Sequence, residues 1–246
     1  MSKVILFTSG KGGTGKSTLS ASVGHFLAKS GKKTLLIETD SGLRALDIPL
    51  NVQDRIVFDI SDVFNSSCEM IKAIYHCPHN DDLHLIAAPF DESYRIRRTD
   101  LIRLCSGLKF YYDYIILDSP AGMGENLISA ICAADMAVIV SSLETAAVRD
   151  AAKMSQLIDK YANVEKRFII NKADKESIKV MPFADFDEIV DYVRAQLLGV
   201  VPMDRFLRAA CEHGTAPIVN SPGGQAAMNI AQRLMGKQVP LLVDKL

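Results

Sequence analysis

Short apolar runs alternate with longer amphipathic stretches along this 246-residue chain. The predicted strands are residues 4–7, 34–37, 83–87, 114–117, 137–140, 168–170 and 199–201. The predicted helices are residues 17–29, 101–108, 126–133, 146–161, 186–198 and 225–234. Because the apolar runs are continuous, we expect both faces of each strand to be covered. The pattern therefore predicts an α/β fold with a doubly wound, mostly parallel sheet and helices on both faces.

Composition changes this interpretation little. No stretch is rich enough in Pro, Gly or Ser to separate domains, so we expect one domain over residues 1–246. The formal net charge of −1 does not favour a partner held mainly by charge, such as nucleic acid. The five cysteines form no close pair, which is typical of a reduced, cytoplasmic protein. The first residues do not form a signal peptide, and no apolar run approaches the ~20 residues that span a bilayer.

The first predicted strand runs into a glycine-rich loop over residues 10–17. Its sequence, GKGGTGKS, satisfies the phosphate-loop pattern G-x-x-x-x-G-K-[ST], with a strand before it and a helix after it. Backbone N–H groups of such a loop hold phosphate oxygens, and the helix adds its positive end. The expected nucleotide contacts are Gly10, Lys11, Gly12, Gly13, Thr14, Gly15, Lys16, Ser17 and Thr18. Lys16 is expected to contact the β- and γ-phosphates, and Ser17 to bind Mg²⁺.

Two other predicted strands end in acidic residues. The second strand leads to Glu38 and Asp40, and the strand over 114–117 leads to Asp118. Carboxylates at the C-terminal ends of strands in an open α/β sheet face the ligand crevice. We expect Asp40 to hold the attacking water or a water on Mg²⁺, and Asp118 to organise Mg²⁺ through a water.

Several of these motifs resemble the MinD/ParA family of ATPases. The string KGGTGKS resembles the family's deviant Walker A motif, in which a lysine at the position of Lys11 reaches the partner's nucleotide in a dimer. The residues from Asp40 to Asp47, and the string DSPAG that begins at Asp118, are similar to MinD sequences. The resemblance implies ATP and Mg²⁺ as cofactors, a homodimer on ATP binding, and Lys11, Lys16 and Asp40 as catalytic residues.

The identity of the nucleotide base depends on one short string of residues. Asn171 begins the string NKAD, which fits a purine-reading asparagine and also the guanine motif NKxD. ATP and GTP both stay open on this string alone. The family resemblance favours ATP and adds Pro202 and Asp204, in the string VPMD, as residues beside the base.

Some segments depart from the family pattern. Glu38 stands where MinD proteins usually have Asp, and Leu143 replaces a proline in the segment that contains Glu144. MinD proteins end in a basic amphipathic helix, whereas this C-terminus contains Pro240 and only two lysines, which argues against a membrane anchor. Basic residues beside Tyr94 fit contact with DNA phosphate or a solvated helix face; these are Arg95, Arg97, Arg98 and Arg103.

The histidine and cysteine residues between positions 68 and 84 match no common zinc spacing, so we interpret the segment as a polar loop. The leading hypothesis is thus an ATP-driven dimerisation switch in spatial organisation, with a protein activator or cargo partner. We expect a cytoplasmic protein that associates at most peripherally with membrane or nucleoid. The alternatives are a metallocentre-assembly ATPase, a GTP-using relative, and an ATP-dependent ligase with the same phosphate loop.

Overall fold

A computed structural model describes residues 2–241. Its centre is one eight-stranded sheet with the strand order β3-β4-β2-β5-β1-β6-β7-β8. The strands are β1 (Lys3–Thr8), β2 (Thr34–Glu38), β3 (Tyr75–Cys77), β4 (Asn80–Ile86), β5 (Tyr114–Asp118), β6 (Met136–Ser141), β7 (Glu165–Ala173) and β8 (Gln196–Pro202). All neighbouring strands are parallel except the hairpin of β3 and β4.

Helices cover both faces of this sheet. They are α1 (Lys16–Lys29), α2 (Ile60–Phe64), α3 (Arg98–Leu108), α4 (Glu125–Ala133), α5 (Thr145–Tyr161), α6 (Lys175–Val180), α7 (Phe186–Val193), α8 (Arg205–Glu212) and α9 (Pro222–Leu234). Two short 3-10 turns, Gln53–Arg55 and Met70–Ala73, lie in the segment before β3. No helix in the described range 2–241 is both long and apolar enough to cross a bilayer.

Two hydrophobic cores follow from the alternation of side chains along each strand. On one face, β1 contributes Val4 and Leu6 to a core shared with α3, α4, α5 and α7. On the other face, Ile5 and Phe7 pack with α1, α8 and α9. Both sets of strand side chains are fully buried, which explains why the apolar runs are continuous. The predicted fold class is confirmed.

The largest difference from the predicted element boundaries lies between α7 and β8, and β4, β7 and α3 each begin three residues earlier than predicted. The helix predicted over residues 186–198 is wrong beyond Val193, because Arg194 adopts a left-handed φ of 56° that ends α7. The chain then enters β8 at Gln196, three residues before the predicted strand. Three helices were not predicted, α2, α6 and α8, and neither was the edge strand β3.

Strand β1 lies between β5 and β6. Strands β2 to β5 lie on one side of β1 and β6 to β8 on the other, so the strand order reverses beside β1. Such a switch point leaves a crevice at the C-terminal ends of the strands, where open α/β sheets bind ligands. The loop after β1 and the acidic ends of β2 and β5 meet at this edge.

Candidate nucleotide-binding site

The loop between β1 and α1 has the backbone shape that phosphate binding requires. Gly13 and Gly15 have φ values of 80° and 89°, a left-handed conformation that only glycine adopts without strain. A Cβ on Gly15 would also lie 2.2 Å from the Asn171 side-chain nitrogen. No side chain caps the start of α1, so its first backbone N–H groups face the loop. Within the described residues, the buried Thr14 hydroxyl has no hydrogen-bond partner.

Asp118 lies at the centre of a buried polar cluster beneath this loop. Its carboxylate accepts hydrogen bonds from Lys16 Nζ at 2.9 Å, Ser17 Oγ at 2.7 Å and Ser20 Oγ at 3.0 Å. Asp118 is 0% exposed and Lys16 only 8%. A buried carboxylate is stable here because charged and hydroxyl donors surround it. These groups are also the ones that hold a phosphate oxygen and an oxygen-preferring cation.

The acidic residue that ends β2, Glu38, and the one that follows the strand, Asp40, have different surroundings. Asp40 is half-buried, and burial raises its pKa although Lys16 opposes the shift and Asp118 adds to it. Glu38 is fully buried, and burial raises its pKa to about 8 despite a hydrogen bond from the Ala45 backbone N–H. Glu38 is therefore largely neutral at pH 7. Its longer side chain reaches the loop after Asp40 and ties that loop to the end of β2.

Lys11 lies on the rim of the loop rather than in the phosphate cradle. Its Nζ is 2.6 Å from Glu144 Oε2, and the two side chains are 44% and 65% exposed. The hydrogen bond and charge of Lys11 lower the pKa of Glu144. The loop therefore presents two lysines with different tasks, one facing inward and one facing solvent.

The predicted base-contact residues line an adjoining cleft of about 730 Å³, whose walls include Asn171, Pro202 and Asp204. Asn171 Nδ2 donates to the Thr14 carbonyl at 2.7 Å, and Lys172 Nζ donates to the Gly13 carbonyl at 2.6 Å. Lys172 has a φ of 56° at an irregular stretch of β7, which turns both side chains toward the loop.

Asp204 has a structural task in addition to its place in the cleft. Its carboxylate accepts from Phe206 N and Leu207 N at the start of α8, and from Gly223 N of α9 at 2.7 Å. Its proposed contact with a base stays a prediction.

The sequence-predicted residues thus meet along one edge of the sheet. Lys16, Ser17 and Asp118 contact one another, and Asn171 contacts the Thr14 carbonyl. Asp40 lies close enough for Lys16 and Asp118 to affect its pKa. Two further residues were not predicted. Ser20 lies one helical turn after Ser17, and this spacing was the available signal. No sequence pattern pointed to Lys172, because its position depends on its own left-handed backbone conformation, which turns its side chain toward the loop.

Comparisons with known proteins agree with this geometry. A family model described as an AAA domain matches residues 2–172. The septum site-determining protein MinD of Bacillus subtilis is 36% identical over 249 aligned residues, covering 99% of this chain and 92% of the relative. The chain belongs to the MinD/ParA family of P-loop ATPases.

Solved structures of MinD proteins have the same fold. The MinC:MinD cell division protein complex of Aquifex aeolicus aligns with a TM-score of 0.87 and 36% identity, covering 98% of both chains. MinD of Pyrococcus horikoshii, solved with Mg-ADP, aligns with a TM-score of 0.83 and 26% identity, covering 95% of this chain and 96% of that one. This MinD/ParA-like chain is accordingly an ATPase of a family that acts in spatial regulation.

The residues present fit ATP with Mg²⁺. Lys16 and Ser17 share one oxygen of Asp118, so both already hold an anionic oxygen at hydrogen-bond distance. The unpartnered Thr14 hydroxyl and the uncapped start of α1 offer further polar groups to the same ligand.

Proposed function

We propose that this ATPase is an ATP- and Mg²⁺-dependent dimerisation switch, formed by one domain over residues 1–246, which acts in division-site placement. The curated relatives that support this process are septum site-determining proteins, such as those of Bacillus subtilis and Helicobacter pylori, at 36% and 32% identity. Their alignments cover nearly the whole chain.

One observation supports the proposal of a dimerisation switch: the phosphate loop has two lysines in different environments. Lys16 is buried against Asp118, so it serves the chain's own phosphates. Lys11 is exposed and held only by an exposed ion pair with Glu144. Such pairs contribute about 0–1 kcal/mol, so Lys11 is free to reach a phosphate on a second copy. Dimerisation then depends on the presence of triphosphate in both sites.

The remaining residues divide the work of hydrolysis. Backbone N–H groups from Gly10 to Thr18 hold the phosphates. Ser17 would bind Mg²⁺ directly, and Asp118 and Asp40 through water. When bound, Mg²⁺ supplies positive charge that stabilises the transferring phosphoryl group. Asp40 also orients the attacking water, and its raised pKa makes it a better proton acceptor than an ordinary aspartate.

Asn171, Pro202 and Asp204 complete the site on the side of the base. Pro202 is buried at the end of β8 and fixes this wall of the cleft. Asn171 donates one amide N–H to the Thr14 carbonyl, which leaves its second N–H and its Oδ1 acceptor for the edge of adenine. Base binding can therefore keep this contact of the phosphate loop.

A protein partner binds the dimer in this proposal, and MinD of Aquifex aeolicus has been solved in a complex with MinC. The dimer would act in the cytoplasm or at the surface of the membrane or nucleoid. DNA contact through Arg95, Arg97, Arg98 and Arg103 remains a prediction. The C-terminal anchor also remains open, since residues 242–246 lie outside the described range.

The test is the solution mass of an Asp40→Ala variant with Mg²⁺ and either ATP, GTP or ADP. The variant should hydrolyse slowly and so hold the triphosphate state. We expect a dimer with ATP but not with GTP or ADP. This result would also identify adenine as the base that the site binds. A monomer with every nucleotide, although ATP binds, would contradict the switch and favour a ligase-type activity.

A further inference from the structure

Two histidines face each other across the hairpin at the edge of the sheet. His76 of β3 and His84 of β4 are direct register partners in this antiparallel pair. His76 Nδ1 lies 2.9 Å from His84 Nε2, and the ring planes are inclined by 79°. The pair lies in the hairpin at the edge of the sheet and takes no part in the proposed hydrolysis.

We propose that His76 and His84 form a two-histidine binding site for a late first-row transition-metal dication of the Ni²⁺, Cu²⁺ or Zn²⁺ class. Imidazole nitrogen is a preferred ligand of these ions. Two nitrogens at ~2.1 Å from one ion and at right angles are about 3.0 Å apart. The observed separation is 2.9 Å, which is also an ordinary hydrogen-bond length, so the exposed His76 ring must turn before both nitrogens can face one ion.

One ligand is already held in place and the other is accessible. His84 is 7% exposed, and the ring of Tyr112 packs edge-on at 5.4 Å between centroids. His76 is exposed, which gives an ion a path from solvent and leaves room for water ligands.

The tautomer of His84 limits the affinity of the site for a metal ion. Its Nδ1 is buried without a partner among the described residues. When Nε2 binds a metal, the ring proton must sit on Nδ1, where it is an unpaired buried donor. Such an unpaired donor weakens metal binding. The site should therefore exchange its metal readily rather than trap it.

The charged groups around the pair nearly balance. Asp81 and Asp82 lie close enough to affect His84, and Lys33 opposes them. Arg55 donates to the His76 carbonyl at 2.5 Å and adds a second positive group near the hairpin. Over residues 2–241 no cluster of three or more His, Cys, Asp or Glu side chains could hold a metal, so water completes the coordination.

A bound metal would join the edge strand β3 to β4. β3 has only three residues and pairs on one side. A cross-strand link there would stabilise the hairpin, since an ion that binds only the folded state adds to stability.

The test is calorimetric titration of the full chain with Ni²⁺, with excess Mg²⁺ present to occupy oxygen-ligand sites. We expect one saturable Ni²⁺ per chain and a rise in the melting temperature. His76→Ala should weaken this binding at least about tenfold, a loss of ~1.4 kcal/mol. His79→Ala is the matched control, because His79 lies in the same hairpin turn but bonds the Gly214 carbonyl instead.

His84→Gln removes the second ligand and should abolish the Ni²⁺-dependent rise in melting temperature if it folds. Because His76 is exposed, the His76→Ala variant tests the site even if the buried substitution unfolds the chain. Absence of saturable binding in the wild-type protein, or equal binding by His76→Ala and His79→Ala, would overturn the proposal.

Discussion

Lys11 Nζ lies 2.6 Å from Glu144 Oε2, which joins the rim of the phosphate loop to the start of α5. Both side chains are largely exposed, so water screens their attraction and the pair can open at little cost. The contact holds Lys11 over its own chain while no partner is present. It also ties the position of the loop to that of a helix 133 residues further along the chain.

Lys11→Ala should abolish ATP-induced dimerisation while leaving nucleotide affinity within about threefold of wild type. Lys16, Ser17 and the loop N–H groups remain, and the exposed pair contributes little to folding. Solution mass and nucleotide titration measure the two effects separately. Lys179→Ala, which removes an exposed lysine paired with Glu176 on α6, is the control and should dimerise normally. ATP-induced dimer formation by Lys11→Ala would contradict the proposed role of Lys11 in dimerisation.

Glu144→Gln should strengthen ATP-dependent dimerisation by up to about fivefold, since an exposed ion pair is worth at most ~1 kcal/mol. The substitution keeps the side chain's shape but removes the charge that holds Lys11. Dimer affinity by analytical ultracentrifugation provides the measurement, with Glu176→Gln as control. A weaker dimer would mean that the Glu144 charge contacts the partner subunit instead.

The strand pattern predicted most of the fold because each buried strand is a continuous apolar run between polar turns. The predicted element boundaries were wrong where the backbone conformation of a single residue ends an element. The amphipathic spacing from Phe186 runs directly into the apolar start of β8, and only the left-handed Arg194 separates them. The edge strand β3 was missed because three residues carry too little pattern.

The site could be predicted where the motif itself fixes the geometry. The phosphate loop places Lys16 and Ser17 by backbone shape alone, and Asp118 follows as the end of a buried strand. Contacts between distant segments were not predictable in the same way. The bond from Asn171 to the Thr14 carbonyl depends on how β7 bulges, and the pairing of His76 with His84 depends on strand register.

Ser20→Ala should weaken Mg²⁺-dependent nucleotide binding by about tenfold. Ser20 Oγ lies 3.0 Å from both Asp118 Oδ1 and the Ser17 carbonyl. When its single proton is donated to Asp118, it fixes the carboxylate that organises the metal waters. Losing such a supporting contact typically costs 10–100-fold in metal affinity, on the order of the effect expected here. The measurement is nucleotide affinity as a function of Mg²⁺ concentration.

Ser22→Ala is the matched control for this experiment. Ser22 is equally buried on the same helix, but its hydroxyl bonds the Thr18 carbonyl within α1. Its Mg²⁺ dependence should match wild type. If both variants shift alike, the effect of Ser20 comes from helix stability rather than from the orientation of Asp118.

His25 should make the protein less stable as the pH falls from about 6.5 toward 4. Burial, with the charge of Lys29 and the nearby His79, lowers its pKa in the folded state to about 4, from 6.5 in the unfolded chain. Above pH 6.5 both states are neutral, and below it only the unfolded state gains a proton, so stability decreases with acid. By pH 5 the loss is roughly 2 kcal/mol.

His25→Gln removes this titration, so the difference in unfolding free energy between pH 7 and pH 5 should shrink by roughly 2 kcal/mol. Urea unfolding at the two pH values measures it. The exposed His213 provides a control, and His213→Gln should leave the difference unchanged. His84 has a lowered pKa of the same sign, so some slope should remain in every variant. An unaltered slope in His25→Gln would mean that the buried imidazole accepts a proton as readily in the folded chain as in the unfolded one.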